Sequence, residues 1–252
     1  KVQMTSIGHA DTTGNKNIDY FLSSKLLEGE NHQNRYSEKV LLSNYIPIYY
    51  YKPNVTKELS KNDLVKKNIY FCPQNLIKIL PDFDKVFRKI LFKDKNAKIF
   101  LIKDRNNFTN QSFFNRIKRN IPENFERVIL INRLTPNDFI KFCGMSSVIL
   151  SPFSSVGSGN TFYDSMYYGT PTITKPGDSP KNRMVIAGYN QMKIKDAPVV
   201  NNFEDYIEKS IEIANQNNLN LKMYYKEQAK KYLYENEHAI RDVEKILISI
   251  VN

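Results

Sequence analysis

The sequence predicts an α/β fold in which a parallel sheet with crossover helices is followed by a helical C-terminal tail. From residue 69 onward, short apolar segments alternate with amphipathic segments, which is typical of strands joined by crossover helices. From residue 202 to residue 252 the pattern is nearly all helical. Right-handed crossovers would make the sheet a doubly wound, Rossmann-like layer, whose ligands bind beyond the carboxyl ends of its strands.

The apolar segments give the expected positions of the elements. We predict strands at residues 68–72, 97–103, 127–132, 147–150 and 171–174, with a further short candidate at 191–194. The helices between them are predicted at residues 81–93, 111–120, 136–144, 160–168 and 179–188. In residues 82–91, apolar residues recur at helical spacing, with acidic residues early and basic residues late.

Residues 1–60 do not form a complete domain in this pattern. Residues 6–9 and 11–14 are typical of turns, residues 18–23 of a strand, and residues 45–51 of an extended aromatic run. We interpret this region as a linker and edge elements that belong to a larger partner domain.

The helical tail carries a stripe of aromatic residues that includes Tyr206, Tyr225 and Tyr232. The stripe would suit a partner surface or a helix packed on a neighbouring domain. We favour packing, because an amphipathic helix usually buries its apolar face.

Composition limits the classes of function. The chain has 252 residues, 41% of them hydrophobic, and a formal net charge of +11. Such a charge would suit nucleic acid, an anionic membrane or a polyanionic small ligand. Because the lysines are spread along helices and form no block of like charges, we expect no specific binding of nucleic acid.

The two cysteines, Cys72 and Cys143, stand in apolar contexts with no neighbouring Cys or His cluster. They predict core packing, no zinc site and a reducing compartment.

No apolar run reaches 18 residues and no signal-peptide pattern is present, so we expect no membrane span and a cytoplasmic location.

A loop rich in glycine and hydroxyl residues joins the strand at 147–150 to the next helix. It runs through Ser158, Gly159, Asn160 and Thr161. Glycine lets the backbone approach an anion closely, and the unpaired N–H groups at a helix start favour negative charge. Asp164, one turn into the helix, is placed to accept hydrogen bonds from a ribose. Because many strand-to-helix turns use glycine and serine for geometry alone, the loop by itself predicts a phosphate site only weakly.

Five stretches, in order along the chain, resemble the O-GlcNAc transferase and SPINDLY-type glycosyltransferases, especially their bacterial relatives. The stretches are GHADTTGNKNIDYFLSS (8–24), RYSEKV (35–40), YFCPQNLIKILPDFDKVFRKIL (70–91), RVILINRLTPNDF (127–139) and SPFSSVGSGNTFYDSMYYGTPTITKPG (151–177). The resemblance implies the C-terminal half of an inverting enzyme with two Rossmann-like domains, the GT-B architecture. Such an enzyme transfers a sugar from a nucleotide-sugar, here UDP-GlcNAc or UDP-Glc, to Ser or Thr hydroxyls of a protein.

The resemblance also implies a division into three parts. Residues 1–60 would be the hinge and the last elements of the N-terminal catalytic half, and residues 61–201 the nucleotide-sugar-binding domain. Residues 202–252 would be helices that pack back on these domains. The expected partners are the UDP-sugar, a protein acceptor and the missing N-terminal half. Without that half, the chain is expected to bind the donor weakly and to turn over little.

In this family, a lysine in the turn after the first strand neutralises the departing diphosphate, and Lys78 matches it. Gln74 and Asn75 are expected to donate amide hydrogens to phosphate or sugar oxygens, although capping of the following helix explains them equally well. With this lysine and a helix start to balance charge, the chemistry requires no metal ion and no cofactor.

The segment at Arg133 and Leu134 resembles the base-binding strand end, where backbone groups of Leu134 would contact the uracil edge. Phe139 stands where animal enzymes carry a histidine stacked on the base, and a buried helix phenylalanine is the alternative. The loop 158–161 resembles the diphosphate site and Asp164 the ribose-binding acid. Gly159 and Asn160 depart from the animal pattern and match the bacterial one, which puts some phosphate hydrogen bonds in doubt.

Ile7, Gly8 and His9 match the place where the other domain touches the sugar. His9 is a candidate general base, although a lone histidine in a turn is usually a surface residue.

Two functions of other classes remain as alternatives. One is a non-catalytic binding or interaction module with the same fold, and the other is a basic nucleic-acid-binding protein.

Overall fold

The computed structural model describes residues 1–152 and 159–251. The N-terminal part of the chain forms a small parallel sheet. This sheet contains β1 (Met4–Ser6), β2 (Tyr20–Ser24) and β3 (Lys39–Ser43), in the order β1-β2-β3. Met4 lies opposite Tyr20, which lies opposite Lys39. The sequence pattern predicted a strand only near β2. The strands β1 and β3 were missed, because three residues are too few to show alternation in β1 and because β3 is only half-buried.

The second sheet is parallel and has five strands. They are β4 (Ile69–Cys72), β5 (Lys98–Ile102), β6 (Val128–Ile131), β7 (Val148–Leu150) and β8 (Thr172–Ile173). Their order is β6-β5-β4-β7-β8, so the chain builds outward from β4 in one direction and then returns to build in the other. This is the doubly wound, Rossmann-like order, and it confirms the predicted fold class.

Nine helices are assigned in the described part of the chain. They are α1 (Lys61–Leu64), α2 (Asp84–Lys93), α3 (Asn107–Asn120), α4 (Pro136–Met145), α5 (Gly159–Met166), α6 (Met184–Gln191), α7 (Phe203–Asn215), α8 (Leu219–Tyr232) and α9 (Glu237–Val251). Short 3₁₀ turns lie at His32–Arg35, Leu76–Lys78, Pro81–Phe83, Phe125–Arg127 and Pro180–Asn182. The helical tail predicted from residue 202 onward is therefore present.

The strand predicted at residues 191–194 is wrong. Gln191 ends α6, and Lys193 has a positive φ of 58°, which interrupts any extended backbone. Met192 and Ile194 are buried against α5 and α8, so their apolar character comes from packing between helices. The backbone next to β8 is instead paired through a bridge between Thr174 and Val199.

Alternate residues of the second sheet face two different helical layers, as the two-residue period of a strand requires. One face carries Tyr70, Ile99 and Leu101 and packs against α2, α3 and α7. The other face carries Phe71 and Ile149 and packs against α4. Both faces are covered, so the carboxyl edge of the strands remains as the place for a ligand.

The three tail helices pack on three different parts of the molecule. α7 lies on α2 and the edge of β7 and β8, α8 lies on α5, and α9 lies on β3 of the first sheet. Tyr206 and Tyr225 of the aromatic stripe are buried, which agrees with a packing role.

Candidate functional site

A cavity of about 540 Å³ opens at the carboxyl edge of the second sheet. Its walls are formed by the residues that follow three neighbouring strands, together with parts of α4 and α5. They are Pro73, Gln74 and Asn75 after β4, Ile102, Lys103 and Asp104 at the end of β5, Arg133 and Leu134 after β6, Pro136 and Phe139 of α4, and Asp164 of α5. Six residues selected from the sequence therefore lie around one cavity: Gln74, Asn75, Arg133, Leu134, Phe139 and Asp164.

Gln74 connects the two halves of the sheet at this edge. Its Nε2 donates a hydrogen bond to Oγ1 of Thr161, in the first turn of α5, at 3.2 Å. Because β4 and β7 are neighbours at which the strand order reverses, this bond crosses the crevice where doubly wound sheets hold ligands. Gln74 is only 5% exposed, so its position is fixed by the surrounding core.

Asn75 has the capping contact that the sequence left open as one explanation. Its Oδ1 accepts a hydrogen bond from the Ile77 N–H at 3.4 Å, at the start of the turn Leu76–Lys78. Asn75 also lines the cavity, so the two explanations are compatible. Lys78 ends the same turn, half-buried, and its side chain is not part of the cavity wall.

Leu134 and Phe139 reach the cavity because α4 starts directly after β6. Thr135 caps this helix, with its Oγ1 accepting from the Asp138 N–H at 3.2 Å, and Pro136 occupies the first turn. Phe139 is half-buried, and its ring lies 5.9 Å from that of Phe71 in the core. The phenylalanine therefore packs on the core and also lines the cavity.

Asp164 receives a hydrogen bond that the sequence did not predict. The Tyr50 hydroxyl donates to Oδ1 of Asp164 at 2.9 Å. Burial raises the pKa of Asp164, and this hydrogen bond acts in the opposite direction. Tyr50 belongs to the aromatic run at 45–51. The sequence pattern identified this run, but nothing in the pattern predicted that Tyr50 contacts α5.

Lys103 and Asp104 were also missed by sequence reasoning. Both line the cavity, and Nζ of Lys103 donates to Oδ1 of Asn132 at 3.0 Å. They follow β5 directly, so the rule that parallel strands bring their carboxyl ends to one edge would have found them.

A second cavity, of about 430 Å³, adjoins the first. It is lined by Tyr49, Tyr50, Tyr51, Lys52, Pro53 and Asn54, and by Pro136, Asn137, Ile140 and Asp164. Pro136 and Asp164 belong to both walls, so Asp164 stands between the two cavities.

The predicted phosphate loop is described only in part. Gly159, Asn160 and Thr161 form the first turn of α5, and Asn160 is exposed. Ser158 lies outside the described residues. The described turn places a helix N-terminus beside Gln74, next to the cavity that Asp164 lines.

The structure does not bring residues 7–9 to the cavity wall. Ile7 is buried in a cluster with Phe21 of β2 and Leu27. Gly8 is exposed. His9 is also exposed, and its Nδ1 lies 3.8 Å from Oδ2 of Asp11.

Both cysteines are buried, and burial raises the pKa of the Cys72 thiol to about 12, which leaves it unreactive at neutral pH.

Within residues 1–152 and 159–251, no group of three His, Cys, Asp or Glu side chains is arranged to hold a metal ion. In the same part of the chain, every helix is too short or too polar to cross a bilayer.

No protein-family model matches the chain. Its sequence is 24% identical over 258 residues to a probable UDP-N-acetylglucosamine–peptide N-acetylglucosaminyltransferase SPINDLY of Solanum lycopersicum. That match covers 99% of this chain and 27% of the relative. The chain therefore spans about a quarter of the length of this curated relative.

Two solved structures share the fold. A mutant of the Thermobaculum terrenum O-GlcNAc transferase superposes with a TM-score of 0.83 at 17% identity, over 98% of this chain and 47% of the other. A mutant of S. aureus TarM, in complex with fondaparinux, α-GlcNAc-glycerol and UDP, gives a TM-score of 0.60 at 15% identity, over 91% and 43%. In sequence the chain is thus similar to the SPINDLY relative, and its Rossmann-like fold matches about half of each of the two solved chains, the extent of one half of a GT-B glycosyltransferase.

Proposed function

We propose that the chain is the donor-binding half of an inverting glycosyltransferase. The enzyme would transfer a sugar from a UDP-sugar, UDP-GlcNAc or UDP-Glc, to a Ser or Thr hydroxyl of a protein. The observation that carries the proposal is the cavity at the strand ends, where Gln74, Leu134, Phe139 and Asp164 converge. The name of the SPINDLY relative and the UDP in the TarM complex support the choice of donor.

The lining residues suggest one orientation for the nucleotide. The uracil would lie against Leu134 and the ring of Phe139, and the ribose hydroxyls would donate to the Asp164 carboxylate. The diphosphate would then extend toward the first turn of α5. The backbone N–H groups of a first turn have no partner within the helix, and the positive end of the helix dipole favours a negative charge there.

The transfer would be a single displacement at the anomeric carbon. The acceptor oxygen forms a bond to this carbon as the bond to the β-phosphate oxygen breaks, and UDP leaves with the bonding electron pair. Lys78, in the turn that begins at Asn75, would supply positive charge to the departing diphosphate. The acceptor proton passes to a base, and the part of the cavity wall that the structure describes contains no histidine.

Calorimetric titration tests the donor site directly. We expect UDP, UDP-GlcNAc or UDP-Glc to bind the chain at up to millimolar concentration, because the donor half holds the nucleotide. Binding should weaken in an Asp164→Asn variant, which keeps the shape and loses the charge. Heats no larger than those of dilution for all three ligands would overturn the proposal.

The second candidate function is a binding module without catalysis. It is favoured by one observation: the candidate base His9 is exposed and lies away from the cavity wall. The glycosyltransferase and the binding module differ in the role that they require of Lys78. A module requires a folded nucleotide site, whereas an enzyme requires a cation at the leaving group.

The substitution Lys78→Ala, made in the full-length protein that contains this chain, separates the two functions. We expect a loss of transfer of about 10²–10³-fold with the fold retained, since removal of one group that stabilises transition-state charge has effects of this size. Lys85→Ala is the matched control, because Lys85 is an exposed lysine on α2 whose partner is the exposed Asp82. Unchanged biological activity of Lys78→Ala would favour the module.

A further inference from the structure

Tyr50 reaches the candidate nucleotide site from a segment far away in sequence. The segment leaves β3 and reaches the turn between α8 and α9, where the Tyr50 carbonyl accepts a hydrogen bond from the Glu235 N–H at 2.9 Å. A backbone bridge pairs Tyr50 with Tyr234. From this anchored position the side chain extends to Asp164, 114 residues further along the chain.

The ring of Tyr50 is held as firmly as its backbone. It stacks on the ring of Tyr163, with 4.5 Å between the centroids and 20° between the planes. The ring of Tyr234 lies 6.4 Å away on the same cluster. Because backbone and ring are both fixed, the hydroxyl is directed at Asp164 before any ligand arrives, so ordering it on binding costs little entropy.

The Asp164 carboxylate contacts Tyr50 and also lines the cavity. Its Oδ1 accepts from the Tyr50 hydroxyl at 2.9 Å, and no group in the described part of the chain donates to its Oδ2. An ionised carboxylate accepts through both oxygens, so one oxygen bound to the protein leaves the other for a ligand hydroxyl. Burial raises the pKa of Asp164, and a hydroxyl donor opposes this by stabilising the charged form.

We propose that Tyr50 is a positioning residue for the donor nucleotide, which fixes the Asp164 carboxylate so that its second oxygen accepts a hydrogen bond from a ribose hydroxyl. The inference rests on the proposed function, because it requires a nucleotide in the cavity. It adds Tyr50, which lies outside the sequence stretches that resemble the family, and it predicts that this one residue of the segment 45–51 influences donor binding.

The test compares UDP with 2′-deoxy-UDP and 3′-deoxy-UDP in calorimetric titrations of the wild type and Tyr50→Phe. In the wild type, UDP should bind about tenfold more tightly than the analogue that lacks the contacted hydroxyl, as a hydrogen bond to a charged group implies. Tyr50→Phe should weaken UDP binding severalfold and leave that analogue nearly unaffected, so the preference for the hydroxyl shrinks. A tyrosine that only supports the fold would weaken all three ligands equally.

Tyr51→Phe is the matched control. Tyr51 is the next residue of the same aromatic run, 73% exposed, and its ring contacts Tyr49 instead of Asp164. It should keep the wild-type preference for UDP. A second comparison uses Asp164→Asn, in which addition of Tyr50→Phe should cause almost no further loss, because Tyr50 acts through the carboxylate.

The outcomes separate this inference from the proposed function. If the wild type prefers UDP and Tyr50→Phe keeps that preference in full, the positioning role is wrong and the donor site stands. If the wild type binds UDP and both deoxy analogues equally, Asp164 does not hold the ribose and the positioning role also fails. If no uridine nucleotide binds, both proposals are overturned.

Discussion

Glu38, immediately before β3, is a buried carboxylate that fixes the turn following the first strand. It is 1% exposed. Its Oε2 accepts from Thr12 Oγ1 at 2.7 Å, and its Oε1 accepts from the Thr13 N–H at 2.8 Å and from the Thr13 hydroxyl. Burial alone would raise the pKa of Glu38, but the hydrogen bonds from Thr13 and Thr12 outweigh it and lower the pKa to about 2. The charged form is therefore part of the folded state.

The pH dependence of stability follows from this shift. The same side chain titrates near 4.5 when it is not perturbed, so the unfolded chain binds more protons than the folded chain between pH 4.5 and pH 2. The contribution of Glu38 is complete above pH 4.5 and is lost as the pH falls toward 2. We expect Glu38→Gln to reduce the free energy of unfolding by about 2 kcal/mol at pH 6, with a smaller difference at pH 3.

Urea unfolding of both proteins at a series of pH values measures this difference. Glu30→Gln is the control, since Glu30 is an exposed acid in the same region and should change stability little at any pH. A difference between wild type and Glu38→Gln that stays constant from pH 6 to pH 3 would contradict the assigned cause.

At the scale of single elements, the segment after α5 depends on one glycine. Gly169 has a φ of +67°, the left-handed region that side chains rarely adopt. A Cβ added there would lie 1.9 Å from the backbone oxygen of Lys222. Lys222 cannot retreat easily, because its buried Nζ donates to the carbonyls of Leu64, Gly144 and Ser146 at 2.7 to 2.9 Å. The glycine therefore allows α8 to pack directly on the end of α5.

We expect Gly169→Ala to lower the free energy of unfolding by about 3 kcal/mol or more, through backbone strain and through the clash with α8. Gly14→Ala is a matched control, because Gly14 has the same φ of +67° and nothing within 4 Å of an added Cβ. It should cost only the strain, about 1 kcal/mol. Chemical denaturation of both variants gives the comparison, and equal losses would show that the contact with Lys222 does not matter.

The same scale shows which elements the sequence could predict. The strands β4 to β7 were predicted to within one residue at every boundary, because each is a short apolar run between polar turns. The segment 191–194 was also predicted as a strand, yet Gln191 ends α6, Lys193 has a positive φ, and Met192 and Ile194 pack between helices. Local pattern predicts burial, whereas the backbone state of a short buried segment is decided by its neighbours.

For the candidate site, the sequence was informative where the fold itself brings residues together. Residues that follow strands, such as Gln74 and Leu134, meet at one edge in any parallel sheet of this order. Tyr50 could not be found in this way, since its contact with Asp164 depends on how a linker crosses the domain. Contacts of that kind depend on tertiary packing and leave no periodic signal in the chain.

At the scale of the whole molecule, the last helix connects the two sheets. The chain leaves the second sheet through α7 and α8, and α9 then lies on β3 of the first sheet. Asp242 of α9 accepts from Ser43 Oγ and from the Asn44 N–H, both at 2.7 Å, and from Asn44 Nδ2 at 3.0 Å. Tyr45 and His238 stack beside these contacts, with 6.2 Å between ring centroids.

Because these hydrogen bonds join α9 to the first sheet alone, removing them should loosen one part of the molecule. We expect Asp242→Ala to accelerate amide hydrogen exchange in α9 and β3 by about tenfold or more, while exchange in β4 to β8 stays unchanged, since local opening depends on local contacts. Glu244→Ala is the control, because Glu244 lies on the same helix and pairs only with the exposed Arg241 at 2.8 Å. Faster exchange throughout both sheets would mean that α9 stabilises the molecule as a single cooperative unit. No change at all would mean that apolar packing holds α9 without Asp242. Acceleration limited to α9 and β3 would establish the two sheets as separate units of opening, joined by the tail on one side and by the Tyr50 segment on the other.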